Sequence, residues 1–80
     1  MSERIIHGTI SEILESWPLQ LLVDTGSERF SVALTPEVEV IENGRRVSVS
    51  DLISGQSVNI VGHLARGFSR ALTASRIEIL

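Results

Sequence analysis

Hydrophobic side chains recur at every second position through most of the chain, and twice the parity of that recurrence switches inside a single segment. Ile6, Gly8 and Ile10 alternate with His7 and Thr9, whereas Ile13 falls on the other parity. A period of two is that of a β-strand with one buried face. One extra residue near Ser11 and Glu12, a β-bulge, keeps both halves of the strand on one core and bends it. The last segment repeats the device: Leu72 and Ala74 share one parity, Ile77 and Ile79 the other, so a second bulge is expected near Ser75 and Arg76. Bulged long strands let a sheet curl shut. With only 80 residues and no cysteine to staple them, closure is the economical way to hide sheet edges and share one core.

The middle of the chain supplies the remaining strands. Leu19, Leu21 and Val23 form one alternating set, Asp24-Thr25-Gly26-Ser27 supplies turn chemistry, and Phe30, Val32 and Leu34 form the next. Thr35 and Pro36 then interrupt the ladder, because proline has no N–H to give it, and the run through Val38 and Val40 is expected to be short or at an edge. Asn43-Gly44 tolerates the positive φ angles of a type I′ turn, which pairs a strand ending near Glu42 with one through Val47 and Val49. Ser50 is the expected N-cap of a single helical turn over Asp51, Leu52 and Ile53, with Gly55 ending it. Val58, Ile60, Gly62 and Leu64 alternate again, and Arg66-Gly67-Phe68-Ser69 loops into the final strand. The expectation is one all-β domain over residues 1–80: a small closed or partly open barrel of five or six strands, with one short helical turn near residues 50–54. The oligonucleotide/oligosaccharide-binding (OB) barrel fits best.

Composition narrows the function classes. At 42% hydrophobic and 21% charged, the chain lies in the range of ordinary folded proteins. Seven arginines, no lysine and ten acidic residues give a net charge of −3, which argues against a general nucleic-acid binder and confines any basic surface to a local patch. Absent cysteine, there is no thiol chemistry. The opening residues Met1 to Arg4 do not lead into a signal-peptide core, so as written the chain reads as cytoplasmic, or as exported if it is cut from a longer precursor. Its apolar runs fall far short of the roughly 20 residues that a spanning helix needs, so membrane insertion is not expected.

The order of several short motifs resembles a bacterial family, domain of unknown function 5666, whose members look like small OB-type barrels. The resemblance covers almost the whole chain. It rests on Gly8-Thr9-Ile10, on Leu22 to Gly26 leading into Phe30-Ser31-Val32, on Thr35 and Val38 before Asn43-Gly44, on Ser50-Asp51-Leu52, and on Gly55, Val58, Ile60, Gly62, Ala74, Arg76 and Ile77. It implies a fold and assigns no activity. Relatives in that family often look exported and sometimes repeat in tandem, features not seen in this sequence.

Three constellations bear on chemistry. Leu22-Val23-Asp24-Thr25-Gly26-Ser27 resembles the catalytic segment of aspartic proteases, and Asn59-Ile60-Val61-Gly62 resembles the hydrophobic-glycine segment behind it. That chemistry needs two aspartates sharing a proton, hence a dimer, plus a flap for which the interval from Asp24 to Gly62 is too short; a retroviral-type protease around Asp24 is a remote alternative to a plain turn. His7 and His63 both carry the outward parity of neighbouring strands, but no third ligand accompanies them, so they read as surface histidines and no metal or other cofactor is expected. The third constellation is positional. OB barrels bind ligands across strands 2 and 3, between the loops joining strands 1 to 2 and 4 to 5, and here those loops carry Trp17 and Arg66, Phe68 and Arg70.

These four residues are the candidate ligand-binding set, with no catalytic residue assigned. Aromatic stacking and arginine–phosphate contact would suit single-stranded nucleic acid. Against it stand the negative net charge and Glu12, Glu15, Asp24 and Glu28 around the same expected face, and Trp17 and Phe68 also suit the plugging of barrel ends. The leading expectation is therefore a noncatalytic binding or interaction module whose partner is a protein, a saccharide or another copy of itself; the alternative is a single-stranded nucleic-acid binder.

Overall fold

The structure is a computed structural model that describes residues 3–16, 18–65, 67 and 70–80. Six strands appear in chain order: β1 (Glu3–Leu14), β2 (Gln20–Asp24), β3 (Arg29–Glu42), β4 (Arg45–Val47), β5 (Ser57–Leu64) and β6 (Ala71–Ile79). Their order in the sheet is β2-β1-β5-β6-β3-β4, and an additional pairing of β2 with β3 closes five of them into a barrel that leaves β4 outside. All pairings are antiparallel except that of β3 with β6. This is the OB-like, all-β architecture expected from the alternation. Among the described residues no helix is long and apolar enough to cross a membrane.

Both bulges form where the parity changes. Between β1 and β2 the register steps from Ile10↔Val23 to Glu12↔Leu22, leaving Ser11 as the extra residue. Between β5 and β6 it steps from Val61↔Arg76 to Gly62↔Ala74, leaving Ser75 extra. On β6 the inward residues stay buried on either side of the step, Leu72 and Ala74 before it and Ile77 and Ile79 after it; on β1 Ile6 and Ile10 before the step are buried and Ile13 after it is partly buried against the core. Leu21, Val23, Phe30, Val32, Leu34, Val40, Val58 and Ile60 complete the barrel interior, and Leu52 from the connection between β4 and β5 joins them. Burial of each such aliphatic contributes roughly 1.5–3 kcal/mol relative to exposure. No polar or charged residue among those described is buried.

Two glycines make the closure physically feasible. Gly62 sits at the β5–β6 register step, where the bulge presses the β6 backbone inward; a Cβ there would overlap the Thr73 carbonyl oxygen and lie 3.0 Å from Ala74 Cα. Gly8 lies on β1 just before its ladder with β2 begins, and a Cβ there would lie 2.5 Å from the Asp24 carbonyl oxygen. Only a residue without a side chain lets two backbones cross this closely.

Two local expectations need correction. The Thr35-Pro36 break does not split the strand: β3 runs unbroken for 14 residues, and only its ladder with β6 lapses, between Leu34 and Glu39. Pro36 falls inside that lapse, where its missing N–H costs no ladder bond. The single helical turn is present but starts earlier, as a 3-10 turn over Val49–Asp51 capped by Ser48 rather than Ser50. Ser48 Oγ accepts from the Ser50 N–H (3.1 Å) and the Asp51 carboxylate accepts from the Ser48 N–H (3.0 Å), a reciprocal capping arrangement that draws Val49 out of β4. The Asn43-Gly44 hairpin forms as expected, with both residues at positive φ (53° and 76°); Arg46 pairs with Glu39 across it, and Arg76 reaches the same carboxylate from β6 at 4.0 Å.

Because the Thr73 carbonyl fills the space a Cβ would need, Gly62→Ala lowers stability by about 1–3 kcal/mol through overpacking against backbone that cannot retreat. Urea unfolding measures this as a lower midpoint at constant slope; an unchanged midpoint would show that the crossing has slack.

Candidate ligand-binding face

With one parity of each strand consumed by the core, the other parity defines the outer face, and registers decide which outward residues meet. Gln20 on β2 lies opposite Ala33 on β3, which lies opposite Thr73 on β6; Leu22 lies opposite Ser31, which lies opposite Ala71. These six residues form an uncharged patch across three strands. All but Thr73 are half-buried, and Ser31 Oγ donates to Gln20 Oε1 at 3.4 Å. Small side chains at its centre keep it shallow.

Loops flank the patch on both sides along β3. The Leu34 N–H donates to the Leu19 carbonyl (2.9 Å), which ties down the loop between β1 and β2, and the Ser31 N–H donates to the Arg70 carbonyl (2.9 Å), which ties down the loop between β5 and β6. Three residues of strand separate the two anchor points, about 10 Å. Within the first loop Ser16 Oγ donates to the Pro18 carbonyl at 2.8 Å. A mostly apolar depression of about 350 Å³ opens beside it, lined by Ser16, Pro18, Leu19, Leu34, Thr35, Pro36 and Val49.

Of the four residues singled out from sequence, Trp17, Arg66 and Phe68 lie outside the described residues. Arg70 is described and sits at the edge of the patch, its Nε 3.7 Å from Glu28 Oε1, with both side chains substantially exposed (63% and 47%). The cation is thus shared with an acid from the neighbouring turn. Glu12, exposed on β1, lies directly opposite Leu22, so the acidic flank expected from sequence is present. The depression and the uncharged patch were missed by sequence reasoning. The outward parity of Leu22, Ser31 and Ala33 was readable, but only the registers gather them with Ala71 and Thr73.

The other constellations resolve into local roles. Asp24 is exposed at the end of β2, where its Oδ1 accepts from the Gly26 N–H at 2.8 Å, and Thr25 Oγ1 donates to the Glu28 carbonyl at 3.1 Å. Asp24 pairs with Thr9, whereas Gly62 pairs with Arg4, five residues or about 17 Å away along β1. The register therefore sets Gly62 apart from Asp24, while Asn59 at the start of its segment lies opposite His7, two residues from Thr9. His7 and His63 are likewise apart: His7 lies opposite Asn59, to whose Oδ1 its Nδ1 hydrogen-bonds at 2.7 Å, and His63 lies opposite Glu3. Among the described residues no group of three or more His, Cys, Asp or Glu could hold a metal ion.

No family model matches the chain, and no curated protein matches it. Among solved structures it is similar to a full-length MCM homolog from Methanopyrus kandleri, with a TM-score of 0.64 and 26% identity over 98% of this chain and 14% of that one. The chain spans about one seventh of the length of that protein.

Proposed function

We propose that the chain is a noncatalytic binding module whose ligand, a protein segment or a saccharide, lies across the outer face of β2, β3 and β6. One observation carries this reading: the barrel interior is filled by apolar side chains, so a ligand is met outside, and two anchored loops flank the uncharged patch around Ser31 and Ala33. The neighbouring apolar depression at Pro18 and Pro36 extends that surface. The resemblance to domain of unknown function 5666 belongs to the same proposal. Amide shift mapping tests it with a chito-oligosaccharide and an extended peptide as probes. Binding should move Gln20, Leu22, Ser31, Ala33, Ala71 and Thr73 and leave the probe chemically unchanged. Shifts confined to another surface, or turnover of the probe, would defeat the proposal.

A second reading, single-stranded nucleic acid held by Trp17, Arg66, Phe68 and Arg70, is favoured by the position of Arg70 beside the patch and is compatible with the likeness to part of an MCM homolog. Base stacking supplies roughly 1–3 kcal/mol per aromatic. The reading makes its own demands. An oligothymidine of about 12 nucleotides, within the span of one OB barrel, should quench Trp17 fluorescence, and the affinity should fall steeply with salt. Arg70→Ala should reduce the salt slope by about one. Glu28→Gln should raise the affinity by freeing Arg70, while changing stability by no more than about 0.5 kcal/mol because the pair is exposed. Fluorescence that does not respond at low salt retires this reading.

A further inference from the structure

β1 is twelve residues long, but β2 covers only its second half. On one side β5 pairs with Glu3 through Thr9; on the other, β2 takes up pairing only from Thr9 onward. The direction of the backbone groups follows from Ile10, whose N–H donates to the Gln56 carbonyl (2.9 Å) and whose carbonyl accepts from the Gly55 N–H (2.7 Å), both in the segment entering β5. Peptide groups alternate sides along a strand, so those of Arg4, Ile6 and Gly8 face β5 and those of Glu3, Ile5 and His7 face away from it. Among the described residues nothing pairs with that second edge.

The barrel's other free edge is guarded. β4 is three residues long and carries the exposed Arg45 and Arg46, the short, charged form by which edges resist pairing. The edge from Glu3 to His7 has no proline or bulge and carries its charges, Glu3 and Arg4, at one end, and its central Ile5 is 71% exposed, beside the half-buried Val61 of β5.

We propose that the Glu3–His7 edge of β1 pairs antiparallel with the same edge of a second copy of the chain, about a twofold axis at Ile5. In this register Ile5 lies opposite the partner's Ile5, and Glu3 lies opposite the partner's His7, twice by symmetry. Each carboxylate then meets an imidazole across the ladder, and the two exposed isoleucines cover one another. Adjacent symmetric registers are worse. Centring on Arg4 opposes that arginine to its own copy, and centring on Ile6 drives the partner's strand into Thr9, whose edge Asp24 already occupies. An open depression of about 450 Å³ at the fork of β1 and β2, lined in part by His7, Thr9 and Asp24, gives the end of the incoming strand room. The contact is isologous, so it closes at two copies rather than propagating. It uses no residue of the β2–β3–β6 face, and its failure would leave the proposed ligand face untouched.

The test combines sedimentation across a concentration series with amide hydrogen exchange. The mass should rise to twice that of the monomer, and the amides of Ile5 and His7 should slow on association. Ile5→Pro removes an edge donor without touching a bond to β5, so it should give a folded monomer, checked by thermal unfolding. Independently, Glu3→Arg and His7→Glu should each weaken association by about tenfold, and the double variant should restore it. A monomer at every concentration, a dimer whose Ile5 and His7 amides exchange as fast as in the monomer, or a double variant no better than either single would overturn the proposal.

Discussion

The barrel depends on two places where backbone crosses backbone with no side chain between. At Gly62 the Thr73 carbonyl, and at Gly8 the Asp24 carbonyl, occupy the space a Cβ would need. Each crossing accompanies a one-residue bulge on its own strand or on the strand across from it, Ser11 for β1 and Ser75 for β6. The bulge turns the strand and resets its parity, and the glycine lets the turned strand come close enough to keep its ladder.

Closure has a consequence for function. Among the described residues the interior is filled by apolar side chains with no buried polar group, so recognition falls to the outside. There the same registers that close the barrel assemble an uncharged strip from β2, β3 and β6 and pin a loop at each side of it through the Ser31 and Leu34 amides. Three of the described arginines are held by acids: Arg70 leans on Glu28, and Arg46 and Arg76 share Glu39. Such exposed pairs add little stability, but they lower the field an anionic ligand would feel. Closure also leaves a remainder. β1 outruns β2, and the surplus is an edge around the exposed Ile5 that no described strand pairs with.

Much of this was legible in the sequence because it rests on local rules. Parity switches between Ile10 and Ile13 and between Ala74 and Ile77 located both bulges, and Asn43-Gly44 located the hairpin. Local rules also misled where two of them competed. Pro36 looked like a strand end, yet tertiary pairing lapses around it and the strand continues; Ser48 and Ser50 both suit an N-cap, and the carboxylate of Asp51, three residues after Ser48, decides for the earlier one. For the candidate site, sequence pointed to the loops carrying Trp17, Arg66, Phe68 and Arg70, and Arg70 lies beside the face. The face itself was not visible, since Gln20, Ser31 and Thr73 are unremarkable residues until registers align them.

What the sequence by itself determined was the period, the two interruptions of it and the turn chemistry, because these follow from how one or a few consecutive residues meet water and their own backbone. Only the tertiary structure decided which outward residues share a surface, how far Asp24 lies from Gly62, and which strand edges stay unpaired. Those are properties of register, set when distant strands lock their aliphatic faces into one core, and no short stretch of sequence contains them.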